Sequence, residues 1–360
     1  VIFMNYGGQM RWRMRSGEVL DAELGTMLTK DLTAHAWRTA LSPTGEWIPA
    51  VLRAADQRLT QVRRAIPDAG GLVIATNQTV ARAYAKILAE ITGKRPAVIL
   101  SDDAKAGGKI EEFAASQDRW MVAVRMVSEG VDVPRLAVGV YATSTSTPLF
   151  FAQAVGRFVR SRRRGEVATV FLPTVPILLA HAATLERQRD HVLGRPRSEE
   201  TDIWAETEAL IDAANREETA SDDLLGEFEA LESQATFDHV LFDSQAFGMH
   251  AEPTSQDELD YLGLPGLLEP DQVSTLLAER QRRQLRRRER RDPKSQPEVP
   301  LHRALANQRK ELNSLVAQLA RLEQRPHSHV HADLRRECGG PPLAQATTEQ
   351  IEARIALLRE

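Results

Sequence analysis

The stretch Trp120-Met-Val-Ala-Val-Arg-Met-Val-Ser-Glu-Gly-Val-Asp-Val-Pro134 joins a run of five apolar residues to a short loop rich in chemistry. The apolar run has no polar alternation, the mark of a strand buried on both faces. Similar runs occur at Gly71–Ala75, Ala97–Leu100, Leu136–Tyr141 and Val167–Leu172. Between them lie stretches with helical spacing, at Gln78–Thr92, Lys109–Ser116, Pro148–Arg160 and Val175–Val192. Buried strands alternating with helices predict an α/β fold, a parallel sheet flanked by helices. We place this domain at residues 67–194.

Open parallel sheets bind ligands at loops leaving the carboxyl ends of their strands. After Val124 such a loop offers Glu129 and Asp132 as carboxylates, Gly130 as a tight turn and Pro134 as its end. Thr147 and Pro148 have the residue types of an N-cap and first helical position for the next helix. On that helix Gln153, Gly156, Arg157 and Arg160 fall at i, i+3, i+4 and i+7, so they are expected on one stripe. Two arginines one turn apart, beside a glycine that lets a partner approach, suit phosphate oxygens through charged, forked hydrogen bonds. Taken alone, the helix reads rather as a solvated basic face, since arginine pairs are common.

Taken together, the Ser128-Glu-Gly-Val-Asp-Val-Pro134 loop after a strand, a second strand, and Gln153-Ala-Val-Gly-Arg-Phe-Val-Arg160 on the following helix resemble motifs V and VI of superfamily 2 (DEAD/DEAH-like) helicases. Gly71-Leu-Val-Ile-Ala-Thr-Asn77 is similar to their motif IV. Glutamine at 153 is closer to the DEAH-like and restriction-enzyme translocase branches than to DEAD-box RNA helicases. The resemblance covers residues 70–192 and implies the second RecA-like lobe of an ATP-dependent motor. It implies that Arg160, the arginine-finger candidate, and Arg157, with Gln153 beside them, reach across to the γ-phosphate of ATP. Gly130 and Asp132 would meet nucleotide or link it to nucleic acid, with Glu129 and Gly156 alongside. Thr76 and Asn77 would touch the nucleic-acid backbone, DNA by preference, helped by Arg162, Arg163 and Arg164.

ATP and Mg2+ are also implied, and both require the first lobe of such a motor. No G-x-x-x-x-G-K-[ST] phosphate loop occurs in the 360 residues, and Gly107-Gly-Lys109 is followed by Ile110, so we read it as a turn before a helix. The one D-E-x-D string, Asp257-Glu258-Leu259-Asp260, lies after the motif VI stretch with no phosphate loop before it, so it is not read as the magnesium-holding acid pair of a first lobe. Val1-Ile2-Phe3-Met4 opens without an initiator methionine. We therefore expect the first lobe in cis upstream or as a separate chain, and little ATPase activity from these residues alone. The alternative is a non-catalytic nucleic-acid-binding or regulatory protein that keeps a RecA-like scaffold. A dinucleotide-binding enzyme is disfavoured because no strand is followed by G-x-G-x-x-G.

Around this core, residues 1–66 read as a connecting region, with a short strand, a Gly7-Gly8 turn, a basic patch at Arg11, Arg13 and Arg15, and helical patterning later. Residues 195–280 read as an acidic linker, helical or partly disordered, with helical spacing around Trp204–Leu210 and Leu224–Leu231. Glu199–Asp260 alone carries −18, so the formal −4 of the whole chain conceals +14 elsewhere, and a nucleic-acid partner is not excluded. Residues 281–360 hold an arginine run at Arg282–Arg291, divided evenly between phosphate contact and pairing with the acidic stretch in cis. They also hold a heptad-like row, Leu301, Leu305, Leu312, Leu315, Leu319 and Leu322, expected as a helical hairpin open to a protein partner. A last helix is expected at Thr348–Leu358. His327, His329, His331 and Cys338 lack paired-ligand spacing, so we expect no metal site. The single cysteine excludes an internal disulfide, and no apolar run nears the roughly 18 residues of a membrane span. These features together suggest a cytoplasmic protein.

Overall fold

The computed structural model describes residues 1–26, 28–100, 105–124, 133–159, 162–192, 228–291, 308, 310–317, 319, 327–339 and 348–359. Its centre is the expected α/β arrangement. Strands β3 (Gly70–Ala75), β4 (Ala97–Ile99), β5 (Trp120–Val124), β6 (Leu136–Ala142) and β7 (Thr169–Pro173) are parallel, in the spatial order β4-β5-β3-β6-β7. Every residue of β3, β5 and β7 is buried, as their uninterrupted apolar sequences require. Helices α3 (Gln78–Thr92), α4 (Ala106–Ala115), α5 (Pro148–Gly156) and α6 (Pro176–Val192) follow β3, β4, β6 and β7.

The first residues do more than connect. Strand β1 (Ile2–Met14) lies beside β7, paired in parallel through Ile2–Tyr6, and carries the sheet onward. Beyond its middle it pairs antiparallel with β2 (Val19–Leu24). Gly7 and Gly8 lie inside this strand, not in a turn. A Cβ on Gly7 would stand 2.0 Å from the Leu24 carbonyl oxygen, and one on Gly8 would stand 1.9 Å from that of Gln234. The pair is glycine because two other backbones pass against it. Helix α1 (Lys30–Ala40) covers β1 and β2, and helix α2 (Trp47–Arg63) packs on β6. The Trp47 indole Nε1 donates to Gly7 O at 2.9 Å.

Part of the segment read as an acidic linker is also sheet. Strands β8 (Phe228–Ser233) and β9 (Thr236–Phe242) both pair antiparallel with β1, and β10 (Gln245–Phe247) closes a hairpin with β9. Helical spacing around Leu224–Leu231 therefore gives way to a strand at Phe228, where pairing with β1 prevails over local pattern. The expected helical stretch at Trp204–Leu210 lies outside the described residues. Helices α7 (Gln256–Leu262) and α8 (Pro270–Arg291) follow.

Near the C-terminus, helical residues 310–317 pack with helices α9 (His327–Cys338) and α10 (Thr348–Arg359) in a small second core. It joins Leu312, Val316, Val330, Leu334, Ile351 and Ile355 to Leu179 of α6. The heptad row is thus used inside the chain at Leu312, with Leu315 and Leu319 packed beside it, while Leu301, Leu305 and Leu322 lie outside the described residues. Among the described residues no helix is long and apolar enough to cross a membrane.

Candidate nucleotide-facing site

Helix α5 is fastened at its start by groups from two neighbouring elements. The Tyr141 hydroxyl donates to Thr145 O at 2.6 Å, and His181 Nε2 lies 2.8 Å from Ser146 O. Burial lowers the His181 pKa, which keeps the ring neutral at this contact. Thr147 stands at the N-cap with extended backbone but makes no side-chain capping bond, so Pro148 and these two fastenings set the helix start. Phe150, Phe151, Ala154 and Val155 are buried as the helical spacing requires, with the Phe151 ring 5.4 Å from that of Tyr141.

The expected stripe breaks at its last member. Helix α5 ends at Gly156, and the Phe158 amide bonds three residues back to Val155 O at 2.9 Å. The tightened turn drives the Phe158 ring onto β6, where a Cβ on Gly139 would come within 2.4 Å of it. Gln153 and Gly156 remain on the helix and Arg157 caps it, whereas Arg160 lies outside the described residues. Gly156 has nothing within 4 Å of where a Cβ would stand, so a partner can approach there. Gln153 Oε1 is buried with no hydrogen-bond partner among the described residues. Gly139→Ala is expected to expel Phe158 and to destabilise the chain by about 1–3 kcal/mol. Denaturant unfolding measures this, and an unchanged midpoint would show that Phe158 does not depend on the gap.

Glu129, Gly130 and Asp132 lie outside the described residues. The described chain resumes at Val133, two residues before Arg135, which the sequence did not single out. Arg135 is buried and held by three backbone carbonyls and a serine hydroxyl. It donates to Phe113 O at 2.7 Å, to Asp68 O and Asp118 O at 2.9 Å each, and to Ser116 Oγ at 3.3 Å. Its guanidinium also lies 4.0 Å over the Phe113 ring. Burial first, then the nearby Arg63, lowers its pKa to about 10. A cavity of about 170 Å³ opens beside it, lined by Pro134, Phe158, Val159, Arg162 and Glu166 among others. The exit of the loop and the tail of the arginine element therefore share one wall.

The three following arginines separate by role. Arg162 grips the Asp68 carboxylate through both guanidinium ends, and its amide donates to Glu166 Oε2 at 2.7 Å. The hydrogen bond from Arg162 holds Asp68 below the usual carboxylate range, and Asp68 in turn raises Arg162. Arg164 lies 2.9 Å from Glu269. Arg163 is exposed, with no ion-pair partner among the described residues. Of the trio, Arg163 alone makes no ion pair among the described residues, and the side chain of Arg164 is itself 90% exposed.

At the end of β3, Asn77 Oδ1 accepts from the Val80 amide at 3.0 Å and caps α3. This bond accounts for an asparagine without any ligand, while Thr76 precedes it half-buried. Asn77→Ala is expected to cost about 1 kcal/mol through the lost cap. Asn77→Asp keeps the cap, so an equal loss in both variants by thermal unfolding would overturn that role.

No protein-family model matches the sequence. Across the whole chain it is 49% identical to an uncharacterized protein of Mycobacterium leprae (strain TN), covering 61% of that protein. It is 51% identical to an uncharacterized protein of Mycobacterium tuberculosis (strain CDC 1551 / Oshkosh), covering 60%. The chain thus spans about three fifths of the length of these curated relatives. Among solved structures, the second domain of the DEAD-box helicase Mss116p bound to an RNA duplex aligns with a TM-score of 0.31 and 15% identity. That alignment covers 46% of this chain and 65% of that one. A likeness at this level decides nothing further about the chain.

Proposed function

We propose that this chain supplies the second RecA-like lobe of a superfamily 2 ATP-dependent motor acting on nucleic acid, DNA by preference. The observation that carries the reading is the order of elements. In the sequence Glu129, Gly130 and Asp132 come after β5, and the Gln153-x-x-Gly-Arg-x-x-Arg160 motif begins on α5, the element that follows β6. The buried, unpartnered Gln153 Oε1 and the open space at Gly156 suit a polar ligand there. In this reading Arg157 and Arg160 meet the γ-phosphate of ATP, and Thr76, Asn77 and Arg163 lie toward nucleic acid.

Among the described residues no three or more His, Cys, Asp or Glu come together to hold a metal ion, and the resemblance places Mg2+ with the phosphate loop of a first lobe. We therefore assign Mg2+ and the phosphate loop to a first lobe, in cis or as a separate chain. The test compares ATP hydrolysis by this chain alone with hydrolysis by the longer polypeptide that includes a phosphate-loop lobe, each with and without DNA. Stimulation by DNA only in the longer form is expected. No hydrolysis in either form would sink the motor and favour a binding or regulatory protein on the same scaffold.

A further inference from the structure

Helix α8 sorts its arginines by direction. On its inner side Gln284 is buried, donating to Met249 O at 2.8 Å. Arg287, beside it, reaches Asp257 at 2.9 Å and Asp260 at 2.8 Å. Arg288 donates to His250 O, and Arg280 to Gly263 O at 3.3 Å. Arg283, at the edge, lies 3.8 Å from Asp260. These residues account for the cis pairing with the acidic stretch.

Arg282, Arg286 and Arg290 are left over. They stand at i, i+4 and i+8, all exposed, with no ion-pair partner among the described residues. Successive members are about 6 Å apart along the helix axis. Glu279 and Glu289 are exposed on the same helix but form no ion pair with the row among the described residues, so the three arginines keep a net positive face. A chain that only needed to neutralise its acidic segment would not require this second row.

The helix is also tied to the arginine element of the candidate site. Glu166 and Leu267 form an antiparallel bridge, the Leu268 amide donates to Gly165 O at 2.7 Å, and Arg164 pairs with Glu269 just before α8 begins. Gly165 has φ +80, and a Cβ there would touch Leu268, so the turn is built for this contact.

We propose that the outward row Arg282, Arg286 and Arg290 is a phosphate-contacting surface for duplex nucleic acid, anchored through residues 266–269 to the tail that carries Arg162–Arg164. DNA presents one negative charge per about 1.7 Å of its axis, so three aligned cations find phosphates without reading sequence. The surface extends the proposed function: it assumes nucleic acid as the partner, but not ATP chemistry.

The test measures binding of the whole chain to a fluorescent 30-base-pair duplex across a salt series. The variant replaces Arg282, Arg286 and Arg290 with Gln, a residue of similar helix propensity. The slope of log K against log salt is expected to fall in magnitude by about 2.7, from 0.9 per phosphate contact, with unchanged thermal unfolding. Binding at 0.1 M salt should weaken roughly 10–100-fold. An unaltered slope overturns the proposal. So does an equal loss of binding to polyglutamate, which would mark the row as a site for acidic protein. The ATPase comparison above fails or succeeds independently of this slope, so the two readings are separable.

Discussion

If the proposed motor role holds, Arg160→Ala, made in a polypeptide that joins this chain to a phosphate-loop lobe, is expected to lower kcat by about 10³–10⁵. That range corresponds to about 4–7 kcal/mol of transition-state stabilisation. The reason is charge development. As the γ-phosphoryl leaves, negative charge spreads over its oxygens, and a guanidinium in a water-poor cleft stabilises that charge more than it stabilises bound ATP. The loss should therefore fall on kcat and kcat/KM alike, with KM little changed. Arg160→Lys should recover little, because an ammonium cannot replace the planar fork. Arg157→Ala should act in the same direction, since Arg157 caps α5 directly beside Gln153 and Gly156 in the spacing. A loss below tenfold for Arg160→Ala, with stimulation by DNA intact, would remove the arginine from the γ-phosphate and leave the motor without its finger.

The parallel half of the sheet was legible because its strands are buried on both faces and so have continuous apolar sequences, as in Leu72–Ala75 and Trp120–Val124. The antiparallel half was not, because its strands carry polar residues inside. Strand β9 buries Asp238 and His239 side by side, with Asp238 Oδ2 3.2 Å from His239 Nδ1 and its Oδ1 3.3 Å from His250 Nε2. Burial alone would raise the Asp238 pKa, but the two histidines outweigh it and hold the carboxylate below its ordinary range. In a segment already at −18, such a strand is indistinguishable from linker by composition. Its pairing with β1 joins residues more than two hundred positions apart, as at Met4 and Val240, which no local pattern shows.

At the candidate site, the sequence identified Gln153, Gly156 and Arg157 by helical spacing, and the structure keeps these together. It over-extended the helix because Phe158 fits the same spacing as a buried residue. The gap at Gly139 that admits the ring is visible only across the sheet. It also missed the arginines that hold the scaffold. Arg58 offered a signal, since it stands among Val51, Leu52, Ala55, Leu59 and Val62 at helical spacing on the apolar face of α2. A charged residue at such a position has to find carbonyls or a counter-ion.

Arg58→Met is expected to destabilise the chain by about 3–5 kcal/mol, among the largest effects of any single substitution here. Arg58 is fully buried and has no carboxylate partner among the described residues. Its Nε donates to Thr169 Oγ1 at 3.0 Å, and its other nitrogens reach the carbonyls of Leu262, Leu264 and Pro265. One side chain thus joins α2, the first residue of β7 and the turn after α7. Burial, then the charge of Arg280, lowers its pKa to about 9, so the site disfavours the cation and the four acceptors offset that cost. Methionine fills much of the same volume and removes the charge, a change that buried ion pairs replaced as a whole by apolar groups often tolerate. Here it leaves several buried acceptors unmet, each costing about 1–3 kcal/mol before relaxation. Arg58→Lys separates charge from geometry: a compact ammonium keeps the cation but cannot serve every acceptor across the fork. Lysine should therefore recover less than half of the loss. The turn held by Arg58 leads through Gly266–Glu269 to the tail of the arginine element, so amide exchange there should rise in both variants. Denaturant unfolding within 1 kcal/mol of the parent for Arg58→Met would show that these acceptors find water instead, and that the arginine is not what fastens the turn to the sheet.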